Sequence, residues 1–234
     1  MNIQEITQAA ADLEKKSAEE VLRWSAERFP KIAFASSFGA EDVVVIEIIA
    51  RLKLNIPVFT LDTGRLNEET YEVMDKIRSR YGISITSYFP ERAAVEKLER
   101  EKGFYSFRES IENRKECCSI RKVEPLNRAL AGLDAWVTGL RREQAVTRTV
   151  LPKLEQDAAH GNIAKVNPLA DWTTQQVWEH IKKQNVPYNR LHDQNYPSIG
   201  CAPCTRAVKP GEDIRAGRWW WENPEHKECG LHKQ

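Results

Sequence analysis

Five cysteines are the residues best equipped for chemistry: Cys117, Cys118, Cys201, Cys204 and Cys229. They fall into an adjacent pair, a CxxC and a single residue close to the C-terminal end. An odd number argues against a disulfide framework, so use as metal ligands or as a nucleophile leads. Four thiolates suit zinc or an iron–sulfur cluster. Adjacent cysteines bite one tetrahedral ion awkwardly, whereas a cubane offers each a separate iron, which favours [4Fe–4S] over zinc. A vicinal disulfide, or buried thiols beside an unrelated CxxC, are the remaining alternatives. Cys229 stands apart in Glu228-Cys229-Gly230-Leu231-His232, where it has no place in a core. A neighbouring histidine and nearby arginines favour its thiolate, the reactive form.

Basic residues gather at Arg121-Lys122, at Arg141, Arg142 and Arg148, and at Arg215 and Arg218. An arginine fork matches phosphate and sulfate oxygens. The chain carries 35 Lys plus Arg against 34 Asp plus Glu, a net charge of +1. With no global positive field, these clusters imply a small anion rather than nucleic acid. No apolar run reaches the ~18 residues of a membrane span. The polar, acidic start MNIQEITQAAADLEKKSAEE is unlike a secretory signal, so a cytoplasmic protein is expected. Hydrophobic content of 41% and charged content of 29% suit a globular chain, excluding a disordered one.

The elements that must position these groups follow from periodicity. Residues 3–28 read as two helices, the second opened by a Ser17–Glu20 capping box. Strands are expected over 31–35, 56–61, 83–89, 135–139 and 163–166, and helices over 40–54, 67–81, 91–102 and 172–183. Alternating strands and helices imply a Rossmann-like α/β fold, a parallel sheet with helices on both faces. Ligands of such sheets sit at the carboxyl ends of strands, which here means the loops 36–42, 62–66 and 139–148. The last thirty or so residues, rich in Pro and Gly and holding Trp219-Trp220-Trp221, read as an irregular tail. Its tryptophans suit packing against the domain or a neighbouring subunit, consistent with a homo-oligomer. The expected division is 1–204 for the α/β ligand-binding domain with the cysteine cluster site, and 205–234 for the tail.

The loop Ser36-Ser37-Phe38-Gly39-Ala40-Glu41-Asp42 resembles the phosphate loop SGGxDS of the ATP pyrophosphatase superfamily, but lacks the paired glycines, which suits a ligand with fewer phosphates. Taken with LDTGRL, ECCSIRKVEPL, GLRREQ, GCAPCTRAVKPGEDIRAGRWWWE and KECGLH, it resembles the assimilatory sulfonucleotide reductases, and within them the iron–sulfur adenosine 5′-phosphosulfate (APS) reductases. The resemblance covers nearly the whole chain after residue 30. It implies that Cys229 attacks the sulfur of APS, that AMP leaves a Cys229 S-sulfonate, and that thioredoxin or glutaredoxin releases sulfite. It assigns Cys117, Cys118, Cys201 and Cys204 to [4Fe–4S], with Lys122 between cluster and substrate. Arg148, Arg215, Arg218 and His232 would neutralise phosphate and sulfate, with Arg141 and Arg142 assisting. Ser36, Gly39, Asp42, Leu61, Thr63 and Gly139 would line the nucleotide site. The rivals are a reductase of the 3′-phosphorylated nucleotide (PAPS), or of both nucleotides, and, outside enzymes, a zinc-stabilised binding module.

Overall fold

The computed structural model describes residues 3–144 and 150–223. Arg148, Cys229 and His232 lie outside the described residues. The chain divides into two compact units. The first comprises Met1–Thr60, Glu72–Thr86 and Gly132–Asn189. The second comprises Leu61–Tyr71, Ser87–Ala131 and Arg190–Gln234.

The first unit is built on a six-stranded sheet of order β3-β2-β1-β4-β6-β5. The strands are β1 (Ile32–Ala35), β2 (Val58–Leu61), β3 (Ile85–Tyr88), β4 (Ala135–Val137), β5 (Leu154–Asp157) and β6 (Ile163–Val166). β1 pairs in parallel with β2 and β4, and β4 with β6. The mostly parallel sheet matches the expected fold class, with one departure: β5 runs antiparallel to β6. Its sequence LEQD carries neither an apolar run nor clean alternation, so periodicity could not announce it.

Helices α1 (Ile3–Leu13) and α2 (Ala18–Arg28) precede the sheet. The Ser17 hydroxyl accepts the Glu20 N–H at 3.3 Å and the Glu20 carboxylate accepts the Ser17 N–H at 2.8 Å, which fixes where α2 starts. Helix α3 (Ala40–Arg51) is apolar nearly all round, with Val43, Val44, Val45, Ile46, Ile48 and Ile49 all buried. Such a helix is stable only inside a core. Each of these side chains contributes about 1.5–3 kcal/mol by leaving water. The one acid within this run, Glu47, accepts hydrogen bonds from Arg51 at 2.8 Å and shares a 2.8 Å contact with His180 of α8 (Thr174–Gln184). Helix α4 (Glu68–Tyr81) contributes Val73 and Ile77 to the same core.

Strand order reverses between β1 and β4, the place where such sheets hold their ligands, outside the carboxyl ends of the strands. The loops after β1 and β4 meet there.

The second unit holds α5 (Arg92–Lys102), α6 (Ile111–Cys118) and α7 (Glu124–Leu130). Helix α6 runs into α7 through a π-type turn over Ser119–Val123, with the Glu124 N–H reaching back to Ser119 O. Pro125 explains the turn: in a regular helix its ring would strike the carbonyl four residues back, and the wider turn moves that carbonyl aside. The sequence analysis assigns no helix to this stretch, and a proline within a helical run normally marks its end.

Candidate functional site

In the first unit the Ser36–Asp42 loop closes on itself. Asp42 Oδ2 accepts the Ser37 N–H at 2.6 Å and the Ser37 hydroxyl at 2.8 Å. The Ser36 hydroxyl accepts the Phe38 N–H at 3.1 Å, helping hold Phe38 at its positive φ of 58°. Gly39 caps α3 by its backbone alone. Asp42 is buried, and burial pushes its carboxyl up to about 7; the Ser37 hydrogen bonds pull the other way, and Glu41 adds to the rise. From the other strand end comes Gly139, whose missing side chain is what admits Asp42. A Cβ there would lie 2.1 Å from Asp42 Oδ1 and 3.2 Å from Glu41 Cβ.

Arg141 is buried and its donors are engaged. Nε and Nη2 reach Glu41 Oε1 at 2.9 and 2.7 Å, Nη1 reaches Glu143 and the Trp172 carbonyl, and Nη2 also reaches the Thr174 hydroxyl. It therefore ties the start of α3 to the start of α8. Arg142 donates to the Leu151 carbonyl at 2.8 Å and pairs with Glu14, just past the end of α1.

In the second unit the four cysteines of the two paired motifs come together. Cys117, Cys118, Cys201 and Cys204 line one pocket of about 390 Å³, open space at its mouth included. Lys122 and Arg218 share its wall, as do Arg65, Phe107, Arg114, Arg121 and Trp219, which the sequence reading did not place there. Spacing carried part of the signal: Arg114, Cys117/Cys118 and Arg121/Lys122 recur every three to four residues, one broad helical face.

Local structure aims these groups. Cys201-Ala-Pro-Cys204 forms a single tight turn in which the Cys204 N–H donates to Cys201 O at 2.9 Å. The loop after β2 is tied to it, with the Ala202 N–H donating to Arg65 O at 2.8 Å. Within that loop the Thr63 hydroxyl accepts the Arg65 N–H at 3.2 Å and makes a 3.3 Å hydrogen bond with Cys201 Sγ, in which either atom can donate. Leu61 ends β2, and Asp62 is consumed by the turn itself, accepting from the Gly64 N–H and the Tyr71 hydroxyl. Arg121 Nη1 donates to Thr63 O at 2.8 Å. Arg218 lies against the bare face of Gly200, where a Cβ would fall 2.5 Å from its Nη2. The Arg215 N–H donates to Asp213 at 2.8 Å, and Arg215 is not in the pocket wall.

The thiols differ electrostatically. Burial raises Cys201, but Lys122, the Thr63 hydrogen bond, Arg218 and Arg121 more than reverse it, so its net shift is downward. Burial pushes Cys204 up to about 12, with the neighbouring Cys201 adding to it and Lys122 opposing. Burial also raises Cys117 against Arg65 and Arg121. Ligation needs thiolates, so a metal binding here displaces protons, and the cations in the wall offset the charge it creates.

Among the described residues no three His, Cys, Asp or Glu side chains form a group able to hold a metal ion. The four thiols instead face a common pocket. A soft all-sulfur donor set, ringed by cations, fits an iron–sulfur cluster in kind. So do two buried N–H donors beside it, Arg121 Nε and Trp221 Nε1, which have no hydrogen-bond partner among the described residues.

Comparison with known proteins bears on both units. The phosphoadenosine phosphosulfate reductase domain family matches residues 31–207. A protein of Allochromatium vinosum called adenosine 5′-phosphosulfate reductase is 55% identical over 218 residues, covering 93% of this chain and 85% of that one. One of the same name from Burkholderia cepacia is 54% identical, covering 95% and 88%. Among solved structures, the phosphate complex of phosphoadenylyl-sulfate (PAPS) reductase from Candida auris aligns with a TM-score of 0.77 at 29% identity, covering 89% of this chain and 98% of that one. FMN adenylyltransferase of Candida glabrata aligns at 0.56 with 14% identity over 96% of this chain and 75% of that one, a likeness of fold alone.

Proposed function

The chain belongs to the phosphoadenosine phosphosulfate reductase family, and on that premise we propose that it is an oxidoreductase that reduces APS to sulfite and AMP. The observation that carries the proposal is the meeting of both paired cysteine motifs with Lys122 and Arg218 in one pocket. The relatives named for APS are 46–55% identical to this chain over the aligned residues, against 29% for the PAPS reductase of known structure.

The chemistry has two steps. The Cys229 thiolate attacks the sulfur of APS, an S–S bond forms, the bond from sulfur to the bridging oxygen breaks, and AMP leaves with that electron pair. A dithiol protein of the thioredoxin class then attacks Cys229 Sγ. Sulfite leaves with the electron pair of the S–S bond, and the second thiol of the reductant closes its own disulfide and frees Cys229. Two electrons thus pass from dithiol to sulfur.

Nucleophile and substrate are both anionic, so the attack requires cations that screen the approach. Lys122 and Arg218 serve the sulfate from the pocket wall, with Arg148, Arg215 and His232 completing the set. Cys117, Cys118, Cys201 and Cys204 would hold the [4Fe–4S] group, which when bound would supply structural support and a local electrostatic field. Ser36, Gly39, Asp42 and Gly139, with Leu61 and Thr63, seat the nucleotide. The two steps require that Cys229 meet first APS and then the protein reductant. Among the described residues no helix is long and apolar enough to cross a membrane, and the reaction suits the cytoplasm, where dithiol reductants are kept reduced. A homo-oligomer is part of the same reading.

The deciding experiment compares turnover of APS and PAPS with thioredoxin. Sulfite from APS at a kcat/KM at least tenfold above that from PAPS supports the proposal. Equal or preferred use of PAPS overturns the choice of substrate.

A further inference from the structure

The last described residues are tightly held within the second unit. Trp219 is 1% exposed yet holds a positive φ of 41°, a backbone state that a bulky residue keeps only when its surroundings enforce it. Its N–H donates to Cys204 O at 3.0 Å, and the Glu222 N–H donates to Trp219 O at 2.9 Å. The Glu222 side chain is 4% exposed and meets a residue that is buried just as deeply, Arg114. The pair is bidentate: Arg114 Nε and Nη2 reach Glu222 Oε1 and Oε2, each at 2.9 Å. The same guanidinium stacks 4.8 Å from the Trp219 ring centroid and donates toward the Cys118 thiol. Arg114 therefore touches at once a member of the cysteine pocket and the segment from which Cys229 departs, seven residues further along the sequence.

Resting on the reading that Cys229 is the nucleophile, we propose that the buried Arg114–Glu222 pair is a positioning device that couples the cysteine pocket to the Cys229 segment and sets where that segment starts. Seven residues reach at most roughly 25 Å. A fixed origin on the pocket wall keeps the thiol within that radius and aims it. The length of free chain matters less than the direction: moving the anchor back from Glu222 to Trp219 lengthens the tether from seven residues to ten, which dilutes its end only about twofold. Orientation governs the rest, because a misplacement of about 1 Å in a reacting group lowers a rate by as much as ~100-fold. The pair is also costly to half-remove, since either charge left alone would be buried without its partner. The segment is therefore held as long as both residues are present.

The test uses the holoprotein and the variant Glu222→Gln, with Glu222→Asp as the conservative control. The rate of S-sulfonate formation on Cys229 is followed by intact mass after mixing with APS without reductant. The KM for APS, the visible absorbance of the bound cluster and the melting temperature are measured alongside. The expected result is a fall of at least tenfold in the adduct rate for Glu222→Gln, with KM within threefold, absorbance retained, and partial recovery in Glu222→Asp. An adduct rate within twofold of the parent overturns the proposal, as does a KM that rises in proportion to the lost rate. If Glu222→Gln does not fold, Arg114→Met/Glu222→Met replaces the ion pair by apolar packing, and a full adduct rate in that folded variant overturns it equally. No adduct in the parent protein would instead refute the role of Cys229 itself.

Discussion

Replacing Gly139 by alanine puts a methyl group where a carboxylate already sits. The added Cβ would lie 2.1 Å from Asp42 Oδ1 and 3.3 Å from Asp42 Cγ. The backbone of Gly139 is not left-handed, so the demand is purely for space. Asp42 is short and buried, and is held by the Ser37 N–H and hydroxyl at 2.6 and 2.8 Å, so it has no easy retreat. Moving Asp42 weakens hydrogen bonds to a charged or polar buried group, about 1.5–3 kcal/mol, and leaving it in place costs overpacking of about 1–3 kcal/mol. A net loss of about 3 kcal/mol is expected, and at about 2–4 °C per kcal/mol for a chain of this size it lowers Tm by roughly 6–12 °C. The nucleotide loop moves with Asp42, so AMP affinity measured by calorimetry should fall at least tenfold. A second variant isolates the cause. Asp42→Ala removes the atom that the methyl group strikes, so Asp42→Ala/Gly139→Ala should be no less stable than Asp42→Ala alone. Additive losses in that cycle, or a Gly139→Ala protein with unchanged Tm and AMP affinity, would refute the close-approach argument.

Asp42 also links stability to pH. Its folded value is raised from 3.8 to about 7, so its contribution is full below pH 4 and is lost as pH rises to 7. The wild type should lose up to about 1.4 kcal/mol per pH unit in that window relative to Asp42→Asn; parallel stability curves for the two proteins would contradict this. Cys201→Ala should purify anaerobically without the brown colour and broad visible absorbance of a cluster, whereas Cys229→Ser should keep both and lose sulfite release; a zinc-loaded, colourless parent would sink the cluster. His180→Ala strips the buried Glu47 of a 2.8 Å partner and should destabilise by roughly 1–3 kcal/mol in urea, an effect absent in Glu47→Gln/His180→Ala if the pair is the cause.

The sheet was legible because buried parallel strands announce themselves: IAFA and VFTL are short apolar runs between polar turns. Ser17–Glu20 likewise marked a helix start by chemistry that is local in sequence. Strand β5 was not legible, since LEQD gains its strand form only from pairing with β6. Helix α6, its π turn and α7 were hidden by Pro125, and with them the roles of Arg114 and Arg121. The cysteine set was readable from residue type and spacing. The cations around it were readable only where they sat beside a motif or on its helical face: Lys122 follows the cysteine pair and Arg114 precedes it by one turn, whereas Arg65 reaches the pocket through tertiary packing. Glycine gave a similar mixture. Gly139 follows an apolar strand, but that its missing Cβ makes room for Asp42, almost a hundred residues earlier, is a fact of topology: β1 and β4 are neighbours across the point where strand order reverses.

Covalent chemistry at one thiol is the step on which the mechanism turns. Anaerobic protein mixed with APS and no reductant should gain the mass of a single SO3 group, located on Cys229 by peptide mapping, with one AMP released per adduct. Added thioredoxin should then discharge it as sulfite. Release of AMP with no adduct, or an adduct on any of Cys117, Cys118, Cys201 or Cys204, would contradict the division of the five cysteines into four ligands and one nucleophile.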